Sequence, residues 1–116
     1  MGFGPVKIES YPVVHVPETL PHGLRIYLEN KCLAFSGDTG WTDNLYKIAD
    51  QADLFICECN FYQTETSSHL NYRRIIEEAD KLNYHRIILN HFGPEMLERL
   101  DKLALECSYD GQVIEI

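Results

Sequence analysis

The sequence predicts an α/β fold, α+β in some schemes, in a single domain over residues 1–116: one mixed sheet with helices on one of its faces. Three observations predict it. A hairpin pattern occupies residues 24–35, and strand-like and helix-like segments then alternate to the end of the chain. The run Leu54-Phe55-Ile56-Cys57 is apolar at consecutive positions, as a strand covered on both faces requires. At 116 residues and 13.4 kDa the chain is the size of one ordinary domain with a modest core.

Taken in order, residues 6–16 have strand-like composition broken by Pro12. Pro17-Glu18-Thr19-Leu20-Pro21-His22-Gly23 reads as a loop, because two prolines and a glycine defeat regular pairing. Residues 24–28 alternate as a strand, Glu29-Asn30-Lys31 turns, and residues 32–35 return. Thr42 is placed to cap a helix in which Leu45, Ile48, Ala49 and Ala52 make one buried stripe. A strand over 53–59 follows. Ser67 or Ser68 caps the next helix, whose Tyr72, Ile75, Ile76, Ala79 and Leu82 face inward while Glu77, Glu78, Asp80 and Lys81 stay in water. After a strand over 86–89, Gly93-Pro94 opens a third helix with proline in its first turn. There Met96, Leu97, Leu100, Leu103 and Ala104 face inward, and residues 112–116 read as a last strand.

Three helices suffice for one face of such a sheet, so something outside the chain is expected on the other. The abrupt passage from Met1-Gly2-Phe3-Gly4 into strand-like sequence is what the second half of a larger fold would show.

A formal charge of −8 argues against nucleic acid as a favoured partner of this chain alone, because grip on phosphates comes from clustered Lys and Arg. The one adjacent basic pair, Arg73-Arg74, reads as a solvated helix face. No apolar stretch approaches the ~20 residues of a membrane span, and a cytoplasmic protein is expected. Cys32, Cys57, Cys59 and Cys107 lack the spacing of a structural zinc site. Cys57 and Cys59 share one strand face and read as reduced core thiols.

The site-like features are Ser36-Gly37-Asp38-Thr39 and Asn90-His91-Phe92-Gly93-Pro94, each closing an apolar run. The runs over 31–35 and 86–89 read as buried strands, so their carboxyl ends share one sheet edge, where open α/β sheets build sites. Asp38 and His91 could then share a metal ion. Either residue alone is more simply a turn residue, a cap or a hydrogen-bonded histidine. Together with His69, at an expected helix start, they favour a site. Glu58, on an apolar strand, either backs a ligand histidine or turns to solvent at the strand end. His22 and His85 read as exposed, and Trp41 and Phe92 as packing beneath the site.

The stretches His15-x-Pro17-Glu18-Thr19, Phe35-Ser36-Gly37-Asp38-Thr39-Gly40-Trp41-Thr42, Ala52 through Cys59, Ser68-His69-Leu70-Asn71-Tyr72 and Ile88-Leu89-Asn90-His91-Phe92-Gly93-Pro94-Glu95-Met96 occur in the order seen in a known family. The chain resembles the C-terminal half of a metallo-β-lactamase-fold hydrolase, in the ribonuclease Z-like branch. The resemblance implies an αββα sandwich with two metal ions, usually zinc, between its sheets. It implies that Asp38 bridges both metals, that His91 ligates the second, that His69 is a catalytic general acid or electrophile, and that His15 lies at the substrate pocket.

The family's N-terminal half supplies a His-x-His-x-Asp-His segment, and no such segment occurs among His15, His22, His69, His85 and His91. Catalytic zinc normally takes three protein ligands plus water, so the chain alone is expected to bind zinc weakly and to be inactive. The expected partner is the missing N-terminal half or another copy of the chain, with a small phosphodiester or ester as substrate. The other expectations are a non-catalytic remnant or a self-assembling interaction module of the same fold.

Overall fold

The computed structural model describes residues 5–15 and 21–116. The expected entry at 1–4 and most of the expected loop, including Pro17-Glu18-Thr19, lie outside the described residues.

Strand β1 (Val6–Pro12) pairs antiparallel with β2 (His22–Leu28), and β2 with β3 (Lys31–Phe35). Pro12 is tolerated because β1 is an edge strand. From β3 onward, β4 (Leu54–Glu58), β5 (Ile87–Asn90) and β6 (Glu106–Cys107) pair in parallel, giving the order β1-β2-β3-β4-β5-β6. Each parallel step needs a crossover. Helices α1 (Asn44–Ala49), α2 (Tyr72–Leu82) and α3 (Pro94–Leu97) stand in those crossovers. Crossovers are right-handed as a rule and all three step in one direction, so the helices gather over one face.

That face is the core. Ala34, Phe55, Cys57, Ile87 and Leu89 alternate inward from the strands and meet Leu45, Ile48, Ile75, Leu82 and Met96 from the helices. Arg25 also lies on this face, buried. Its Nη1 donates to the carbonyl oxygens of Lys47, Ile48 and Asp50 at 3.2, 2.8 and 2.6 Å, so a cation satisfies the carbonyl end of α1. All four cysteines are free, and burial pushes the Cys57 and Cys59 thiols well up, leaving them protonated and inert.

The opposite face is apolar and only partly covered. Two rows of cross-strand neighbours run over it, Ile8-Ile26-Leu33-Leu54 and Leu24-Phe35-Ile56-Ile88. Leu54 and Ile88 are buried, whereas Val6 and Ile8 at the far edge are 53% and 60% exposed.

Several expected details differ. The cap of α2 is Asn71, whose Oδ1 accepts from Arg74 N at 2.9 Å, not Ser67 or Ser68; His69 therefore sits in the preceding loop and not on a helix start. Ile76 is exposed, and Glu78 is drawn out of water by Tyr46, whose hydroxyl donates to it at 2.6 Å. Helix α3 stops after four residues and resumes only as a 3-10 turn at Leu100–Lys102; Met96 points inward while Leu97 and Ala104 are exposed. Residues 112–116 form no strand. The parallel place beside β5 is taken by Glu106–Cys107, held by a two-pronged ion pair from Arg86 to Glu106 at 2.9 and 2.8 Å.

Candidate functional site

The carboxyl ends of β3, β4 and β5 lie side by side, and each hands one polar side chain to the same edge. After β3, Ser36 turns back so that its Oγ accepts from Glu58 N at 2.8 Å. Asp38 follows on the outside, 46% exposed, and Thr39 on the inside, buried. Thr39 Oγ1 accepts from Val14 N at 2.9 Å, which ties the segment after β1 to this edge. At Gly40 the backbone passes so close to the Ser67 carbonyl that any Cβ would collide with it.

Strand β4 ends in Glu58, 1% exposed. Its carboxylate has found donors on every side: Thr39 N at 3.0 Å and His69 Nδ1 at 2.8 Å from Oε1, and Asn60 N at 3.1 Å from Oε2. Burial raises its pKa above the usual carboxylate value, and those hydrogen bonds pull the other way. Of the two readings open in the sequence, the turn to solvent does not occur, and Glu58 backs a histidine that is not one of the expected metal ligands, His69.

Strand β5 runs out at Asn90, and His91 takes a left-handed backbone, φ 60°. This conformation is uncommon for a residue with a Cβ and concentrates at functional positions. It sends the His91 ring towards β3: Nδ1 lies 3.8 Å from Asp38 Oδ1. The next turn is pinned by Gly93, where a Cβ would come within 2.7 Å of Asn60 Oδ1.

Five of the residues singled out in the sequence, His15, Asp38, Glu58, His69 and His91, therefore meet. The His69 and His91 rings stack with centroids 5.5 Å apart, and His15 meets His69 edge-on at 5.0 Å. His15 Nδ1 is 2.9 Å from the Ser68 carbonyl oxygen, which requires an N–H there and leaves Nε2 as an acceptor in the neutral ring. His22 and His85 are exposed. Asp38 and His91 have the donor chemistry of zinc ligands, a hard carboxylate and an imidazole. Among the described residues no third His, Cys, Asp or Glu joins them in a metal-holding group. The donors fit part of an ion's shell and do not complete one.

One residue of the site was missed in the sequence. Glu95, in the first turn of α3, accepts from the backbone N–H of Tyr62, Gln63 and Thr64 at 3.1, 2.8 and 3.2 Å and from Thr64 Oγ1 at 2.7 Å. It fastens the loop that leads to His69 onto the segment that follows His91. Those bonds hold its carboxyl below the usual range. Local sequence carried no signal for it, since the partners are about thirty residues away.

A mixed sheet with helices on one face and a carboxylate and imidazoles at its parallel strand ends defines a protein of metallo-β-lactamase fold, ribonuclease Z-like in kind. A family model, the beta-lactamase superfamily domain, matches residues 2–92, and the chain belongs to that superfamily. It is 30% identical over 115 residues to an uncharacterised protein of Mycobacterium leprae, covering 95% of this chain and 39% of that one. It is 34% identical over 65 residues to a ribonuclease Z of Salinispora arenicola, covering 52% of this chain and 21% of that one. Among solved structures, the metallo-β-lactamase fold protein YhfI from Bacillus subtilis superposes with a TM-score of 0.70 at 21% identity, over 90% of this chain and 46% of that one. Human tRNase Z, short form, does so with 0.72 at 18% identity, over 94% and 42%. These superpositions share the fold. The chain thus spans less than half the length of each of these proteins.

Proposed function

We propose that this chain is the C-terminal, proton-transferring part of a metal-dependent hydrolase acting on a phosphodiester or ester, inactive by itself and completed by the N-terminal half of such a domain or by another copy. The meeting of Asp38, Glu58, His69 and His91 at one strand-end edge carries this reading. Asp38 and His91 would hold metal, two zinc ions in the complete enzyme, and zinc when bound supplies a hydroxide nucleophile at neutral pH and offsets developing charge. Glu58 keeps the Nδ1 side of His69 occupied and so directs Nε2 outward. A protonated His69 then gives its Nε2 proton to the leaving oxygen, and Glu58 steadies the imidazolium beforehand. His15, with Nδ1 committed to Ser68, offers Nε2 to a substrate hydroxyl.

Relatives bearing the names ribonuclease Z and tRNase Z favour a phosphodiester. The charge of −8 and the scattered basic residues keep a small phosphodiester or ester alongside RNA. The unpaired cysteines suit a reducing, cytoplasmic setting.

The test is reconstitution. The chain alone turns over no phosphodiester and binds zinc weakly; with an N-terminal half carrying a His-x-His-x-Asp-His segment, turnover appears. In the assembled protein Asp38→Ala loses both metals together, whereas His69→Ala keeps metal and lowers turnover by ~10²–10⁴-fold. Chelator-sensitive turnover by the isolated chain overturns its inactivity and leaves His15, His22 or another copy as the source of the missing ligands, and metal loss in His69→Ala sinks the role given to His69.

The exposed apolar face favours a second reading, a self-assembling interaction module. Sedimentation of the chain alone then gives a dimer or larger, and the reconstituted protein gives no turnover. A monomer at high concentration rules this out.

A further inference from the structure

Beside His69 lies a pocket of about 150 Å³ lined by Trp41, Glu65, Thr66, Leu70, Asn71 and Arg74 together with His69 itself. Among the described residues, the two buried side-chain polar atoms without a hydrogen-bond partner are Trp41 Nε1 and Arg74 Nε, and both side chains line this pocket. Buried polar groups in folded proteins are paired as a rule, so two orphans in one place require a reason. Both are donors. Trp41 Nε1 has no acceptor, and Arg74 Nε has only an ion-pair neighbour that does not align with it.

The Arg74 guanidinium lies over the Trp41 indole with its carbon 4.3 Å from the ring centroid. Its Nε is 3.3 Å from Glu78 Oε1, near enough for attraction but without hydrogen-bond geometry. The side chain is 41% exposed, so the outer edge of the fork is open to a ligand. A planar fork of N–H groups matches the oxygens of a phosphate in two-pronged fashion, which an ammonium does not. A long flexible side chain that shifts towards such an oxyanion also uncovers the indole it lies over. Thr66 adds a hydroxyl, and Glu65, exposed at the rim, is the one acid in the lining.

We propose that the pocket between Trp41, Arg74 and His69 is a subsite for a phosphate group of the substrate adjoining the bond on which His69 acts, held by the Arg74 fork and the Trp41 indole N–H. The proposal rests on the hydrolase reading above and narrows it to a phosphoester. Arg74 is here a binding residue of the leaving or flanking phosphate, and no longer the solvated helix face expected from the sequence.

Trp41 is the single tryptophan of the chain, so its fluorescence and its indole N–H resonance report on this pocket and nothing else. The experiment is a titration of the chain with inorganic phosphate at constant ionic strength set by chloride. Expected is a saturable change in both signals, lost in Arg74→Ala and kept in Arg73→Ala, whose side chain is exposed one residue away. Arg74→Lys, which keeps charge and most of the volume, weakens apparent affinity roughly tenfold because the fork is gone; it also serves if Arg74→Ala fails to fold. A flat titration, or a change that survives in Arg74→Lys at full strength, overturns the subsite. Asp38→Ala keeps the phosphate response, because Asp38 does not line the pocket; loss of the response in that variant also overturns it. No turnover is measured, so failure of this titration leaves the reconstitution test of the hydrolase reading standing by itself.

Discussion

Glu58 and Glu95 hold the same loop by opposite physics. Glu58 is 1% exposed at the end of β4 and grips His69 from within; Glu95 lies at the surface end of α3 and grips Tyr62, Gln63 and Thr64 from outside. Burial dominates the first and raises its pKa, whereas hydrogen bonds dominate the second and lower it. A carboxylate at a functional site is thus not one kind of object. The buried one fixes the orientation of a ring at the cost of desolvation, and the half-buried one fixes a backbone path with hydrogen bonds that outweigh its desolvation.

The comparison breaks most sharply at Glu58. Glu58→Ala strands the N–H groups of Thr39 and Asn60 and frees His69, for a loss of about 2–4 kcal/mol in denaturant unfolding. Glu58→Gln costs less, about 1–2 kcal/mol, because an amide satisfies some of three donors but turns an N–H towards another. A stability equal to that of the parent in Glu58→Ala means that the carboxylate network contributes nothing.

The pH dependences have opposite signs. For Glu58 the folded pKa lies above the unfolded 4.5. Its favourable contribution is present below 4.5 and is lost as pH rises through the raised value, so the parent gains on Glu58→Gln as the solution is acidified. For Glu95 the folded pKa lies below 4.5. Its contribution is present above 4.5 and is lost as pH falls through the lowered value, so the parent's advantage over Glu95→Gln shrinks on acidification. Unfolding midpoints of the three proteins between about pH 3 and pH 7 decide both. Equal slopes remove the distinction.

Glu95→Ala has a smaller and more local effect. Hydrogen exchange of the Tyr62, Gln63 and Thr64 amides speeds up roughly tenfold, while core amides such as those of Phe55 and Leu89 keep their protection. Uniform acceleration would make Glu95 a global stabiliser instead of a loop fastener. The smallest effect belongs to His91, whose φ of 60° is a strained choice for a side-chain-bearing residue. His91→Gly is more stable than His91→Ala by about 1 kcal/mol, since only glycine takes that backbone freely. A reversed order denies that strain is held there.

The strand pattern was legible because its signals are local: alternation over 24–28, a turn at Glu29-Asn30, and an unbroken apolar run at 54–57. The meeting of Asp38 with His91 was legible too, because parallel strands in sequential order put their carboxyl ends on one edge by topology alone. The caps and tail were less so. Asn71 caps α2 where Ser67 and Ser68 were as good by residue type, because the bridge between Phe61 and Asn71 fixes where the chain enters the helix. The alternation at 112–116 found no partner, because Glu106, paired with Arg86, had already filled the place beside β5.

By itself the sequence singled out the residues proposed to bear chemistry, Asp38, His69 and His91 with His15 beside them, and placed Asp38 and His91 at strand ends, since residue type and hydrophobic period are properties of short segments. Only the tertiary structure decided what each is pressed against. Glu58 faces His69 eleven residues on, Glu95 clasps a loop some thirty residues back, and Arg74 covers Trp41 from across the site. Those contacts follow from how strands and helices stack, a long-range outcome of burying one sheet face.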